Sequence, residues 1–153
     1  MRFVVQRVTQ ASVTIDGDEK DRIGRGFLVL VGIRQEDTEA VADRMVKKLC
    51  GLRIFEDSEG KTNLSLSDVG GSVLLISQFT LYADCHKGNR PSFIRAGAPE
   101  MASPLYEHII EETRKYVPYV GRGVFGADMK IGLLNDGPFT VILDSEEMWP
   151  EQA

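Results

Sequence analysis

The stretch LLNDGPFTVILD, residues 133–144, places a Gly137–Pro138 pair between two runs of strand-forming residues. Proline has no N–H to donate to a β-ladder, and glycine accepts backbone dihedrals that other residues avoid. On pattern alone, the pair therefore predicts a turn that joins two strands near the C-terminus. The β-branched and apolar residues on both sides assign this end of the chain to a sheet.

Strand signals also dominate the N-terminal half of the chain. The segment RFVVQRVTQASVTID alternates β-branched residues and leads into a polar turn at Gly17, which predicts a hairpin. The run FLVLVGI, residues 27–33, is uninterrupted and apolar but too short for a buried helix, so it predicts a central strand. Further strands are predicted at SVLLISQFTLY, residues 72–82, and at VFG, residues 124–126.

Two segments have the apolar spacing of amphipathic helices. Thr38 can cap a helix that runs to about Leu49, because apolar residues recur every four positions and Gly51 follows. A second helix is predicted over residues 100–117. No repeat or linker interrupts the chain, so the pattern predicts one domain, residues 1–153, of the α+β class with a largely antiparallel sheet and two main helices.

Composition narrows the function classes. The 153 residues carry a formal net charge of -5, which argues against a protein that coats nucleic acid through general positive charge. A nucleic-acid partner would have to be held by a local group of residues rather than by the charge of the whole surface. Cys50 and Cys85 are too few for a disulfide framework and lack zinc-site spacing, so no metal or cofactor is expected. No apolar run reaches a membrane span and the first residues lack a signal peptide's core, which predicts a cytoplasmic protein without membrane contact.

The most informative segment for chemistry is LLISQFTLYADCHKGNRPSF, residues 74–93, since Walker, GxSxG and HExxH motifs are absent. It runs from an apolar strand into neutral polar groups and then into a basic loop. The polar groups are Ser77, Gln78 and Thr80, and the cations that follow are Lys87, Arg90 and Arg95. This pattern fits a site at a strand end, and it equally fits an edge strand with a solvated loop.

Five segments resemble the D-aminoacyl-tRNA deacylase family. SQFTLYAD from Ser77 and NDGPFTV from Asn135 are similar to that family's two signature motifs, in the same order. MRFVVQRVTQASV at the start, KGNRPSF from Lys87 and GVFGADM from Gly123 also match. The resemblance covers essentially the whole chain.

The resemblance implies a compact β-barrel-like fold and an obligate homodimer with active sites at the subunit interface. It implies hydrolysis of the ester between a D-amino acid and the 3′-terminal adenosine of tRNA, with glycine mischarged on tRNA-Ala as a second cargo. It also implies a cis Gly137–Pro138 bond that enters the partner's pocket and excludes L side chains. Arg7 is a candidate brace for this loop, although a structural surface arginine fits the sequence as well.

Two mechanisms remain open. Thr80 could attack the ester, yet its motif contains no histidine or carboxylate to activate it. The preferred alternative uses the ribose hydroxyl of the substrate to direct water, while the Gln78 amide and backbone N–H groups near Phe79 and Thr80 hold the ester.

The remaining predicted site residues are Ser77, as a substrate-binding residue, and Phe125 and Met129, which are expected to flank the terminal adenine. For Phe125 and Met129, core packing is the competing explanation. Two other classes stay open, namely a small-molecule esterase that uses Thr80 and a noncatalytic RNA-binding module.

Overall fold

The first strand organises the sheet in the computed structural model, which describes residues 1–151. The strands are Arg2–Ile15 (β1), Asp18–Ile23 (β2), Gly26–Gly32 (β3), Phe55–Glu56 (β4), Thr62–Leu64 (β5), Ser72–Ser77 (β6), Val120–Arg122 (β7) and Lys130–Asp144 (β8). β1 pairs antiparallel with β2, β3 and β8, while β3–β6 and β6–β7 are parallel. The result is a nearly closed, barrel-like sheet of an α+β fold, as predicted.

The helices cover the sheet and complete the core. They are Glu39–Gly51 (α1), Leu66–Val69 (α2), Pro99–Thr113 (α3) and Ser145–Met148 (α4). α1 begins as predicted, because the Thr38 side chain accepts a hydrogen bond from the Val41 N–H at its N-terminus. α3 ends four residues before the predicted position. Both long helices bury one apolar face against β3 and β6, and no helix of the described chain is long and apolar enough to span a membrane.

Two predicted strands are wrong in their extent. β6 ends at Ser77, where the Gln78 N–H donates the last ladder bond to the Val31 carbonyl at 2.8 Å. Phe79–Tyr82 then forms a 3₁₀ turn, closed by the Leu81 N–H bonding to the Gln78 carbonyl at 3.2 Å. VFG, residues 124–126, forms no strand at all. The strand of this region is β7, which ends before VFG begins.

The prediction of a turn at Gly137–Pro138 is also wrong. β8 is one 15-residue strand that runs along β1 from end to end. The register slips between Gln6 and Val8 of β1, so that residues 136–139 bulge out opposite Arg7. The pair therefore sits in a bulge of a single strand, here termed the Gly-Pro loop (residues 135–139).

Candidate functional site

The end of β6 opens into a cavity of about 300 Å³, the strand-end cavity. One side is lined by Ser77 at the end of β6 and by Gln78 and Phe79, which follow it. Phe125 and Met129 line the cavity from the segment before β8. Five of the nine predicted site residues are thus neighbours in space, although they come from two stretches of chain separated by more than 40 residues.

Apolar and small residues complete the lining. Val31 and Ile76 belong to the two central strands, and Ala102 comes from the first turn of α3. Asp128 and Ile131 also line the cavity. Neither was predicted, and their position in or beside the GVFGADM match is the one signal that could have found them. A mostly apolar pocket with a few polar groups at one end is typical of a small-molecule or nucleoside site.

A close approach at Gly123 shapes the wall that carries Met129. A Cβ at Gly123 would lie 2.5 Å from the Met129 sulfur, so only glycine lets the thioether reach this position. Tyr106 fixes the same corner, since its hydroxyl donates to the Leu75 carbonyl at 2.6 Å and accepts from the Gly123 N–H at 3.2 Å. Burial raises the pKa of Tyr106 to about 12, so its phenol stays protonated.

Polar groups with spare hydrogen-bonding capacity follow β6 at the cavity. The Gln78 side-chain amide donates to the Thr80 hydroxyl oxygen at 2.6 Å, and no histidine or carboxylate of the described chain bonds to that hydroxyl. The backbone N–H groups of Phe79 and Thr80 have no acceptor within residues 1–151. Free N–H groups at the start of a turn are suited to binding a developing oxyanion. Thr80 itself is exposed and does not line the cavity.

Asp128 contributes a carboxylate at the rim of the cavity. Its side chain is 83% exposed and lies 3.1 Å from the Lys130 ammonium. A carboxylate so exposed and paired resembles a surface ion pair more than a buried general base.

Close to the cavity entrance, Phe79 is 54% exposed and meets the Phe93 ring edge-on at 5.0 Å between centroids.

The basic loop after the 3₁₀ turn holds its own polar contacts. Asp84 and Ser92 exchange backbone hydrogen bonds at 2.7 and 2.9 Å, and the Asp84 carboxylate contacts the His86 ring. The hydrogen bond from His86 lowers the pKa of Asp84. Arg95 is bound by Glu146 at 2.9 Å. Lys87 and Arg90 remain exposed.

The other predicted residues, Arg7, Gly137 and Pro138, meet at the Gly-Pro loop and do not line the strand-end cavity of their own chain. The Gly137–Pro138 bond is cis, as the resemblance implies. Gly137 has φ +140°, and a Cβ there would lie 3.1 Å from an Arg7 guanidinium nitrogen.

Arg7 is only 5% exposed and contacts the loop at three points. Its Nε donates to the Asp136 carbonyl at 3.0 Å, its guanidinium carbon lies 4.6 Å from the Phe139 ring centroid, and Nε is 3.7 Å from the Asp136 carboxylate. Nη1 donates to the Ile54 carbonyl at 2.7 Å, which ties the loop to the body of the protein. Asn135 closes the loop from within, because its Oδ1 accepts from the Phe139 N–H at 2.6 Å.

A group that could hold a metal ion lies elsewhere. Asp43 on α1 and His108 and Glu112 on α3 place their ligand atoms within 4.8 Å of one another. His108 Nε2 is already 2.6 Å from Asp43, and Glu112 already binds Lys115 at 2.7 Å. The group shares no residue with the strand-end cavity.

Fold and sequence comparisons agree on the class to which this molecule belongs. A solved structure titled c-Myc DNA Unwinding Element Binding Protein superposes with a TM-score of 0.90 at 44% identity, covering 95% of this chain and 99% of that one. A structure titled as a probable eukaryotic D-amino acid tRNA deacylase has a TM-score of 0.80 at 20% identity, over 93% and 97% of the two chains, and bears on the fold alone.

Sequence relatives narrow the class to a family. Proteins named D-aminoacyl-tRNA deacylase from Desulfitobacterium hafniense and Bacteroides thetaiotaomicron are 55% and 51% identical, over 96% and 95% of this chain and 99% and 98% of theirs. The family described as D-Tyr-tRNA(Tyr) deacylase matches residues 4–144. The chain belongs to this deacylase family.

Proposed function

We propose that this protein hydrolyses the ester of D-aminoacyl-tRNA and so removes D-amino acids from translation. The observation that carries the proposal is the near-full-length identity with proteins named for this activity, at 55% over 96% of the chain. The strand-end cavity supports it with a mostly apolar pocket that ends in Gln78 and in unbonded N–H groups. The partner is aminoacyl-tRNA, gripped by its 3′-terminal adenosine and attached amino acid, and a cytoplasmic location follows from this substrate.

In the reaction, water attacks the ester carbonyl carbon and the ribose oxygen leaves with a proton, which yields free D-amino acid and tRNA. The N–H groups of Phe79 and Thr80 are suited to stabilise the oxyanion, and the Gln78 amide to hold the ribose end. Within residues 1–151 the Thr80 hydroxyl is bonded only by Gln78, and no described residue supplies the base that a nucleophile requires. We assign the activation of water to the neighbouring ribose hydroxyl of the substrate.

The adenine of the terminal nucleotide is assigned to the wall formed by Phe125 and Met129. An aromatic ring can stack on a base, and such stacking contributes about 1–3 kcal/mol. Phe125 is partly buried against Tyr106 at 6.2 Å between ring centroids, so its ring is held in place before a ligand arrives. Ser77 lies where β6 ends, at the amino-acid side of this arrangement.

Selection against L-amino acids is assigned to the Gly-Pro loop acting on a second copy of the chain. The loop is held rigidly by Arg7 and Asn135 yet is remote from the cavity lining of its own chain. Its backbone carbonyls would receive the substrate's ammonium, which leaves room for a D side chain or for glycine and none for an L side chain. Glycyl-tRNA-Ala is therefore proposed as a second substrate.

Strand β8 supplies the surface for this homodimer. Within residues 1–151 only β1 pairs with β8, which leaves its other edge open, and Leu134 and Ile142 on it are 56% and 62% exposed. Long apolar edge strands are normally covered by a partner. A two-fold dimer across this edge would carry the Gly-Pro loop of each chain onto the other chain.

The direct test is to incubate purified protein separately with D-Tyr-tRNA, L-Tyr-tRNA and Gly-tRNA-Ala. The amount of ester that remains is then measured over time. The D and glycyl esters should disappear rapidly while the L ester persists. Equal loss of D and L esters would contradict the gate, and no loss at all would contradict the activity and leave a noncatalytic RNA-binding module. Preferred hydrolysis of a small nitrophenyl ester, abolished in Thr80→Ala, would instead establish the esterase alternative.

A further inference from the structure

A second concave surface lies at the C-terminal end of α1. A cavity of about 590 Å³ is lined there by Arg44, Lys47, Lys48, Arg53 and Trp149, and we call it the basic groove. Among the described residues no carboxylate lines it. In a chain whose formal net charge is -5, four cations around one groove are a strong local departure from the average.

The sequence places three of these cations on one helical face. Arg44, Lys47 and Lys48 are spaced i, i+3 and i+4, which brings side chains together on the surface of an α-helix. Arg53 joins them just after the helix ends, where its Nε donates to the Asn63 carbonyl at 3.1 Å. Asn63 is neutral and orients the guanidinium. The carboxylate that the Arg53 charge reaches is that of Asp68, whose pKa is lowered first by hydrogen bonds with Ser65 and also by Arg53.

The two lysines of the groove carry the charge that is available to a ligand. Lys47 and Lys48 are exposed, and within residues 1–151 neither ammonium has a hydrogen-bond or ion-pair partner. Directly after α3, by contrast, Arg114 and Lys115 are each paired with a glutamate of that helix. A lysine in the last turn of α1 is favourable for the helix dipole, but that effect does not account for Arg53 beyond the helix.

Trp149 gives the groove a fixed wall. Its ring lies 4.0 Å from the Arg44 guanidinium carbon and packs against the hydrophobic core. Its backbone N–H is bonded to the Ser145 carbonyl at 2.9 Å. The groove therefore combines a rigid aromatic side with mobile ammonium groups, an arrangement suited to a polyanion with repeated charges.

We infer that the basic groove binds the phosphodiester backbone of the tRNA body, away from the aminoacylated end. This inference rests on the proposed function. The groove and the strand-end cavity share no lining residue, so a ligand that touches both must be larger than an aminoacyl-adenosine. Lysine and arginine contacts to phosphate give affinity without sequence readout, and that affinity falls as salt rises.

The test compares K47E/K48E with K20E/R22E, which makes the same charge change at two exposed cations of β2 outside the groove. The value of kcat/KM is measured on full-length D-Tyr-tRNA and on D-tyrosyl-adenosine between 50 and 200 mM salt. K47E/K48E should lose about tenfold or more on tRNA at low salt, with a salt slope shallower by about two, and should match the control on D-tyrosyl-adenosine. The milder variant K47Q/K48Q should show a smaller loss of kcat/KM on tRNA. It allows the inference to be tested even if charge reversal impairs folding.

Equal kcat/KM on tRNA for the groove variants and the control would overturn the inference. A matching loss on D-tyrosyl-adenosine would overturn it too, because the groove would then act on the chemistry or on the fold. If the wild-type protein hydrolysed no D ester, the proposed function would fail by itself. The affinity for uncharged tRNA would then be measured instead. The inference requires K47E/K48E to bind it more weakly than the control K20E/R22E does.

Discussion

The strand-end cavity and the Gly-Pro loop differ in how completely their polar groups are bonded. At the cavity, the N–H groups of Phe79 and Thr80 have no acceptor within residues 1–151, and within the same residues the Gln78 side-chain amide bonds only to the neighbouring Thr80 hydroxyl. In the loop, backbone groups of residues 136 and 139 are held by Arg7 and Asn135. Unbonded groups are available to a ligand, whereas a braced loop presents a fixed shape. On this ground we propose that the cavity binds the ester and that the loop selects the substrate.

The largest effect is expected on the cavity side, for Gln78→Ala. Removal of the amide that orients the ester should lower kcat/KM on D-Tyr-tRNA by roughly 10²–10³-fold, the range for loss of one transition-state donor. Stability should change little, since this amide bonds only to exposed Thr80. Gln10→Ala, an exposed glutamine of β1, is the matched control. Activity within threefold of that control would remove Gln78 from the proposed site.

The second-largest effect is expected for Gly137→Val, in the Gly-Pro loop. Gly137 has φ +140° and a new Cβ would lie 3.1 Å from Arg7, so a β-branched residue must displace the loop. A displacement near 1 Å can cost about 10²-fold in rate, and the residual activity should discriminate less between D and L esters. Single-turnover hydrolysis of both esters measures the ratio. A ratio equal to that of wild type would break the assignment of selection to the loop.

The main effect of Arg7→Ala should be a lower stability of the folded protein. It leaves the Ile54 and Asp136 carbonyls without their buried donor and removes the contact with the Phe139 ring. Loss of a charged hydrogen-bonding group of this kind costs about 2–4 kcal/mol, which lowers Tm by roughly 5–10 °C in a chain of this size. Arg22→Ala, at an exposed arginine, should cost less than about 1 kcal/mol. Equal melting temperatures would show that the loop does not depend on Arg7.

The smallest effect is expected for Thr80→Ala. The Thr80 hydroxyl only accepts a hydrogen bond from Gln78, and its backbone N–H survives the substitution. We expect less than a tenfold fall in kcat on D-Tyr-tRNA. A loss near 10⁴-fold, or an aminoacyl group trapped on the protein, would establish Thr80 as the nucleophile. Asp128→Asn, run in parallel, tests the one carboxylate that lines the cavity among residues 1–151, and its effect should be equally small.

Local patterns predicted the central strands and α1 well. FLVLVGI is the buried β3, and Thr38 caps α1, because both depend on residues close together in sequence. The sequence motifs also selected five residues that do meet at one cavity. Ser77 and Met129 could be brought together only by the matches to a known family, because no local rule relates positions so far apart.

The errors arise where tertiary pairing overrides a local signal. Gly137–Pro138 has the pattern of a turn, but β1 is long enough to pair with residues on both sides, so β8 continues past a bulge. SVLLISQFTLY has strand-forming residues on both sides of Ser77, yet the ladder with β3 ends at the Val31–Ser77 pair and a 3₁₀ turn follows. Asp128 was missed because an exposed aspartate beside a lysine carries no sequence signal of a site.

The claim that one pocket takes its cavity from one chain and its loop from another is tested most directly by mixing two inactive variants. Gln78→Ala and Gly137→Val chains are denatured together in equal amounts, refolded and assayed on D-Tyr-tRNA, with each variant refolded alone as the control. A two-fold dimer puts both defects in one pocket and leaves the other whole. About half the dimers should be mixed, so activity should recover to about a quarter of wild type. Activity no higher than that of the separate variants, in a mixture shown by native mass spectrometry to contain mixed dimers, would contradict the shared site.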